Sequence, residues 1–140
     1  MNAPLYTTEI LRLAASLPEP RTLDRTDGVA ERRSPTCGST VRVHVQLDPD
    51  GRIEAVSQEV HACAFGQASA SLLAASASGR SFEEVSQAVD DLTGWLSGGR
   101  ENPGAWPGLP ALAPAHSRRA RHGAILLPFE ALLAAMSACK

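Results

Sequence analysis

The sequence has no apolar run near the roughly 18 residues that a membrane-spanning helix needs, so no membrane association is expected. It has no strong charge of either sign. Thirteen basic against fifteen acidic residues give a net charge of −2, which argues against a general nucleic-acid binder. Cysteines number only three, too few and of the wrong parity for a disulfide framework, and this points to a reducing compartment. No internal repeat is present. Residues 1–17 lack a basic start and carry Glu9 and Arg12 among their apolar residues, so they do not read as a signal peptide. A cytoplasmic protein is the expectation. What is present is ordinary: 140 residues, 44% of them hydrophobic, are enough for one domain with a real core.

Residues 5–17 place Leu5, Ile10, Leu13, Ala14 and Leu17 near one helical stripe, with Thr7 or Thr8 as the cap and Pro18 and Pro20 as the stop. Residues 29–34 suggest a short strand. Val41, Val43, Val45 and Leu47 alternate with Arg42, His44 and Gln46, the two-residue period of a half-buried strand. Asp48-Pro49-Asp50-Gly51 then supplies turn chemistry, and residues 53–61 return as the second arm of a hairpin. An Ala/Ser-rich helix over 65–77 follows, stopped at Gly79. Ser81-Phe82-Glu83-Glu84 is a capping box opening a helix over 82–96. Residues 97–115 hold four prolines and four glycines and read as an internal loop. A last helix over 124–138 has Ile125, Phe129, Leu132, Leu133 and Met136 at helical spacing, with Pro128 in or near its first turn. The order predicts an α+β fold, 1–140 forming one domain: a small antiparallel sheet of about three strands, packed on one face by helices.

A hairpin turn centred between Pro49 and Asp50 pairs residues whose numbers sum to about 99. That sets Cys37 opposite Ala62, beside Cys63, at the hairpin's open end. Cys63 also falls where strand gives way to helix, and the free N–H groups of a helix start stabilise negative charge there. Gly38 allows backbone to come close to a bound ion or substrate. Two buried cysteines without chemistry remain an equal reading of this pair. A disulfide is disfavoured by compartment, and two thiols alone leave a metal site incomplete.

Ser34-Pro35-Thr36-Cys37-Gly38-Ser39 resembles the Asn-Pro-x-Cys-Gly-Asp motif of the IscU/SufU/NifU N-terminal type of iron–sulfur cluster assembly scaffold. Ala62-Cys63-Ala64-Phe65-Gly66-Gln67-Ala68-Ser69-Ala70-Ser71 is similar to that family's second motif, Gly-Cys-Ala-Ile-Ser-x-Ala-Ser-Ala-Ser. Leu5-Tyr6 with Ile10, and Gly79-Arg80-Ser81, extend the likeness along most of the chain, nearest to the SufU branch. The resemblance implies that Cys37 and Cys63 are ligands of iron, zinc or a nascent [2Fe-2S] cluster. Ser39 stands at the position of the family's ligand aspartate. The third family cysteine, at the start of the last helix, is replaced by Gly123 or Ala124. His122, adjoining that position, is a candidate substitute ligand, and so are a partner's thiol or a second copy of the chain in a homodimer. The chaperone-binding Leu-Pro-Pro-Val-Lys motif is absent, against an IscU-type chaperone handoff.

By this resemblance the chain is a non-enzymatic scaffold or sulfur acceptor. Its partners would be a cysteine desulfurase and other iron–sulfur assembly proteins. The basic run Arg118-Arg119-Ala120-Arg121-His122 is either a solvated face or a dock for an acidic patch on the desulfurase. An alternative is a scaffold-fold interaction module without a stable metal. A third is a small thiol enzyme with Cys63 as nucleophile and His122 or His61 as base, for which no orienting Asp or Asn is evident. His44 and His116 have no partner legible in the sequence, and Cys139, next to the last residue, reads as an idle thiol in a fraying end.

Overall fold

The computed structural model describes residues 6–35 and 38–139. Leu5, Thr36 and Cys37, which entered the sequence reading, lie outside them. The elements run α1 (Thr8–Ala15), β1 (Gly28–Arg33), β2 (Thr40–Leu47), β3 (Ile53–His61), α2 (Ala64–Ser76), α3 (Phe82–Leu96), a 3-10 helix (Leu109–Ala115) and α4 (Arg119–Ser137). The three strands form one antiparallel sheet in the order β1-β2-β3, and the fold is α+β.

Local chemistry explains most boundaries. The Thr7 hydroxyl accepts from the Ile10 N–H at 3.1 Å and caps α1. Ser81 and Glu84 form a full capping box at the start of α3, whose bounds match the predicted ones. The Asp48 carboxylate takes the Asp50 and Arg52 N–H groups at 2.9 Å each, closing the β2–β3 turn.

Val41, Val43 and Val45 of β2 are fully buried beneath the helices. Helix α4 lies along β1 and β2, while α2 packs against α4, α1 and β3. Phe65, Leu73, Leu92, Leu109, Ile125, Phe129 and Leu132 join the valines in one core cluster. The Trp106 indole N–H donates to the Leu72 carbonyl at 2.9 Å and its ring meets Phe129 edge-on. The sheet's other face is crossed by the segment after α1. The Arg21 and Arg25 N–H groups donate there to the Ser57 hydroxyl and the Gln46 amide oxygen.

Several sequence expectations are corrected. Paired positions in the hairpin sum to 101 rather than 99, with an irregularity between Gln46 and Leu47. Glu54 is the extra residue on β3 there, and a bulge of this kind shifts every later partner. The ladder ends at Thr40 and His61, short of Cys37. Residues 109–115 are not irregular loop but a 3-10 helix that buries Leu109, Leu112 and Ala115. Helix α4 starts five residues earlier than predicted, so Pro128 sits in its interior, not its first turn. Having no N–H, Pro128 gives nothing to the Ala124 carbonyl one turn back.

One buried polar atom is left over. Gln58 faces inward from β3 and its amide N–H donates to the Ala70 carbonyl at 3.0 Å, but its Oε1 has no partner. An orphaned buried acceptor costs more than the single hydrogen bond on its other side returns, so Gln58→Leu should raise stability by about 1 kcal/mol. Chemical denaturation of the two proteins checks this; an unchanged or lowered midpoint would show that the carboxamide is needed.

Candidate functional site

Cys63 is the N-cap residue of α2, in extended backbone (φ −67°, ψ 174°), two residues beyond the last strand residue. It is half-buried and not disulfide-bonded. No side chain caps this helix and its first turn holds no acidic residue, so the free N–H groups of α2 face the Cys63 end unneutralised. The sequence-derived position at a strand–helix junction is the observed one.

The segment between β1 and β2 arrives at the same place. Its ends are tied by the Ser34 N–H donating to the Ser39 carbonyl at 2.8 Å and the Gly38 N–H to the Ser34 carbonyl at 2.9 Å. Gly38 has φ +73°, a conformation glycine adopts without strain. Ser39, at the family's aspartate position, is buried. Cys37 itself lies outside the described residues.

The third wall is the start of α4. A Cβ built on Gly123 would stand 2.6 Å from the Ser34 hydroxyl, and one on Gly66 would stand 3.4 Å from the Ala124 Cβ and 3.3 Å from the Ala124 carbonyl. Gly123 therefore lies against the segment that carries Cys37 in sequence, and Ala124 against the first turn of the helix capped by Cys63. The Ser69 hydroxyl donates to the Ile125 carbonyl at 2.6 Å and fixes the two helices together. Three stretches far apart in sequence, around positions 34–39, 63–66 and 123–124, thus meet at one end of the molecule.

The histidines are placed differently from one another. His122 Nε2 is 2.8 Å from the His116 carbonyl, so its proton sits there and Nδ1 carries the lone pair in the neutral ring. His116, which had no legible partner, donates from Nε2 to the Trp95 carbonyl at 2.7 Å, and its ring lies tilted against the Trp95 ring with centroids 4.8 Å apart. It is a brace between α3 and the 3-10 helix. His44 is likewise partnered, lying 3.7 Å from the Glu59 carboxylate on the outer sheet face. His61 is exposed at the end of β3 and lines an open groove with Gln58, Gln67 and Pro18.

Cys139 belongs to the other end of the sheet. It packs partly buried beside Gly28 and donates to the Ala135 carbonyl at 3.4 Å, so the expected fraying is not seen. Burial, with the Asp27 charge second, pushes its thiol above the ordinary cysteine range, leaving it neutral. The arms of the hairpin put about 25 Å between that end and Cys63.

Among the described residues no group of three His, Cys, Asp or Glu side chains is arranged to hold a metal ion. Of the candidate donors, the Cys63 thiol lies at this end, and His122, next in sequence to Gly123, has its ring turned to the His116 carbonyl.

Comparison with known proteins decides the kinship. A family model described as the NifU-like N terminal domain matches residues 5–101. The chain belongs to this family. It is 32% identical to the N-terminal part of a nitrogen-fixing NifU-like protein from Brucella abortus, covering 96% of this chain and 93% of that one, with a TM-score of 0.87. A SufU from Fervidobacterium islandicum AW-1, assigned as an iron–sulfur cluster assembly scaffold for the SUF system, shares the fold. Its TM-score is 0.84 at 20% identity, over 94% of this chain and 96% of that one. No curated protein sequence matches. The family match ends before the 3-10 helix and α4, so the stretch that forms the third wall of the site lies outside it. No helix is long and apolar enough to cross a membrane among the described residues.

Proposed function

We propose that this chain serves iron–sulfur cluster assembly as a scaffold or sulfur acceptor, without catalytic turnover of its own. Cys37 and Cys63 are the proposed anchors of iron, zinc or a nascent [2Fe-2S] cluster. The cluster is cargo here, received and passed on. The proposed donor of sulfur is a cysteine desulfurase, and residues 1–140 act as one scaffold-like unit with 97–115 as an internal connection. The observation that carries this reading is Cys63 at the uncapped start of α2, whose first turn lies against Ala124 while the adjacent Gly123 lies against Ser34, in a chain of the NifU-like family.

The local field favours this task. A thiolate, and still more a thiolate-bound cluster, is anionic, and helix N–H groups stabilise it without moving. His122 is the proposed further donor through Nδ1. Anaerobically purified protein should contain iron, lost in Cys37→Ser and in Cys63→Ser, as read by elemental analysis and the visible spectrum. Metal content unchanged in both variants would overturn the reading. Gly123-Ala124, standing where the family has its third cysteine, favours the second reading, an interaction module of the same fold that holds no stable metal. Protein free of iron and zinc under anaerobic conditions would support that module.

A further inference from the structure

Although the net charge is −2, the charge is unevenly placed along the molecule. Helix α4 runs antiparallel to β1: its Ala135 carbonyl abuts Gly28 at one end, and Gly123 abuts Ser34 at the other. That arrangement brings Arg32 and Arg33, the last residues of β1, to the same end as Arg118, Arg119 and Arg121, at the start of α4. Four of these arginines are exposed and Arg121 is half-buried.

None of the five guanidinium groups is ion-paired with a carboxylate among the described residues. The arginines that do pair are Arg25, Arg42, Arg52, Arg80 and Arg100. Between Glu101 and the C-terminus the sequence has one acidic residue, Glu130. At the opposite end, Asp27, Asp48, Asp50 and Glu54 gather around the β2–β3 turn, where Arg25 is held by Asp27 at 2.8 Å. The long axis of the molecule therefore carries a charge dipole whose positive end is the end at which Cys63 lies.

This placement is locally unfavourable. The start of α4 has Arg118 as its N-cap residue, no side-chain cap and no acid in its first turn. Cations at a helix N-terminus oppose the helix dipole, and clustered arginines repel one another. A chain selected for stability alone places Asp, Ser or Glu there, as this one does at α3.

We propose that Arg32, Arg33, Arg118, Arg119 and Arg121 form one composite docking surface for a carboxylate-rich face of a partner protein. Such a surface steers the positive end of the chain, and with it the cysteine site, toward the partner during encounter. A nucleic acid is the less favoured occupant, because none of the molecule's described aromatic side chains lies beside these arginines in sequence to stack on bases and the net charge is negative. The proposal extends the assembly reading by giving the chemistry of the partner's contact face, and it is tested without metal.

The probe is a decaglutamate peptide titrated into metal-free protein by NMR, with a mixed-sequence single-stranded oligonucleotide as the parallel arm. The peptide should perturb amides at 31–34 and 118–123, with an affinity that falls as ionic strength rises. Arg33→Glu, and separately the double variant Arg118→Glu with Arg119→Glu, should each weaken it about tenfold, because each reverses the sign of charge in one half of the patch. Arg52→Gln, at the turn end, should leave it unchanged. The double variant should also melt about 3 °C higher, since acids at a helix start are favourable. A merely structural role for these arginines predicts the opposite sign. Perturbations scattered over the surface, insensitivity to Arg33→Glu, or tighter binding of the oligonucleotide would overturn the proposal. Cys37→Ser separates it from the assembly reading: that protein should lose iron yet keep the peptide.

Discussion

Ala124→Cys is expected to raise metal affinity on the order of a hundredfold or more, since removing even an outer-shell partner of a metal site costs 10–100-fold and this change adds a direct thiolate ligand. The geometry favours position 124 over its neighbour. Ala124 already carries a Cβ, fully buried against the first turn of α2, so a cysteine there adds one atom beyond an existing side chain. A cysteine at 123 would instead place its Cβ 2.6 Å from the Ser34 hydroxyl and displace a buried side chain. With Cys37 and Cys63 as the proposed thiolates and His122 as the proposed nitrogen donor, a third thiolate brings the donor set to the four that structural zinc and cluster sites use. Competition titrations with zinc, and the visible spectrum after anaerobic loading with iron and sulfide, measure the gain. No gain in Ala124→Cys, in a protein shown to be folded, would mean that the three stretches do not form one ligand sphere.

Gly28→Ala should be the most damaging single methyl in the molecule. A Cβ there would stand 2.0 Å from the Ala135 carbonyl and 2.8 Å from the Cys139 sulfur. The sulfur belongs to a side chain that can turn away, but the carbonyl is helix backbone and cannot move alone. Either β1 or the last turns of α4 must separate, and Phe129, Leu132 and Met136 are packed behind that contact. The expected loss is about 3 kcal/mol, the upper range for overpacking. Urea unfolding checks it, and a loss under about 1 kcal/mol would show that this interface is looser than the backbone distances imply.

Much of this molecule is legible from short stretches. The alternation from Val41 to Leu47, the Asp48–Gly51 turn, the Ser81 capping box and the Thr7 cap each act within a few residues, and each predicted its element. The position of Cys63 followed from the same local logic. What failed was set at a distance. The hairpin register slipped by two: the turn is centred on Asp50, which accounts for one, and the extra residue Glu54 opposite the Gln46–Leu47 step accounts for the other, with nothing in its side chain to announce a bulge. Pro128 was expected near a helix start by its usual preference. Tertiary packing of the 119–127 stretch on the 34–39 segment and on α2 extends the helix past that preference. The roles of His116 and His122 depend on carbonyls at positions 95 and 116 that no spacing rule identifies. The arginine surface was half visible as the 118–121 run. Arg32 and Arg33 join it only because α4 lies antiparallel to β1.

Pro128 has a mechanical consequence. It divides α4 into two arms, and the bond that would brace them, from residue 128 back to the Ala124 carbonyl, cannot form. The arm behind it is clamped by Phe129, Leu132 and Met136 in the core. The arm ahead of it carries Arg119, Arg121, His122, Gly123 and Ala124, and it is held by Ile125 and Leu127 in the core, by the Ser69 hydroxyl and by the His122 bond to the His116 carbonyl. At that step the two arms share one helical hydrogen bond fewer, so their relative angle rests on the packing of each arm. The wall that lacks the third cysteine is therefore held in place by side-chain packing rather than by an unbroken ladder of helical hydrogen bonds.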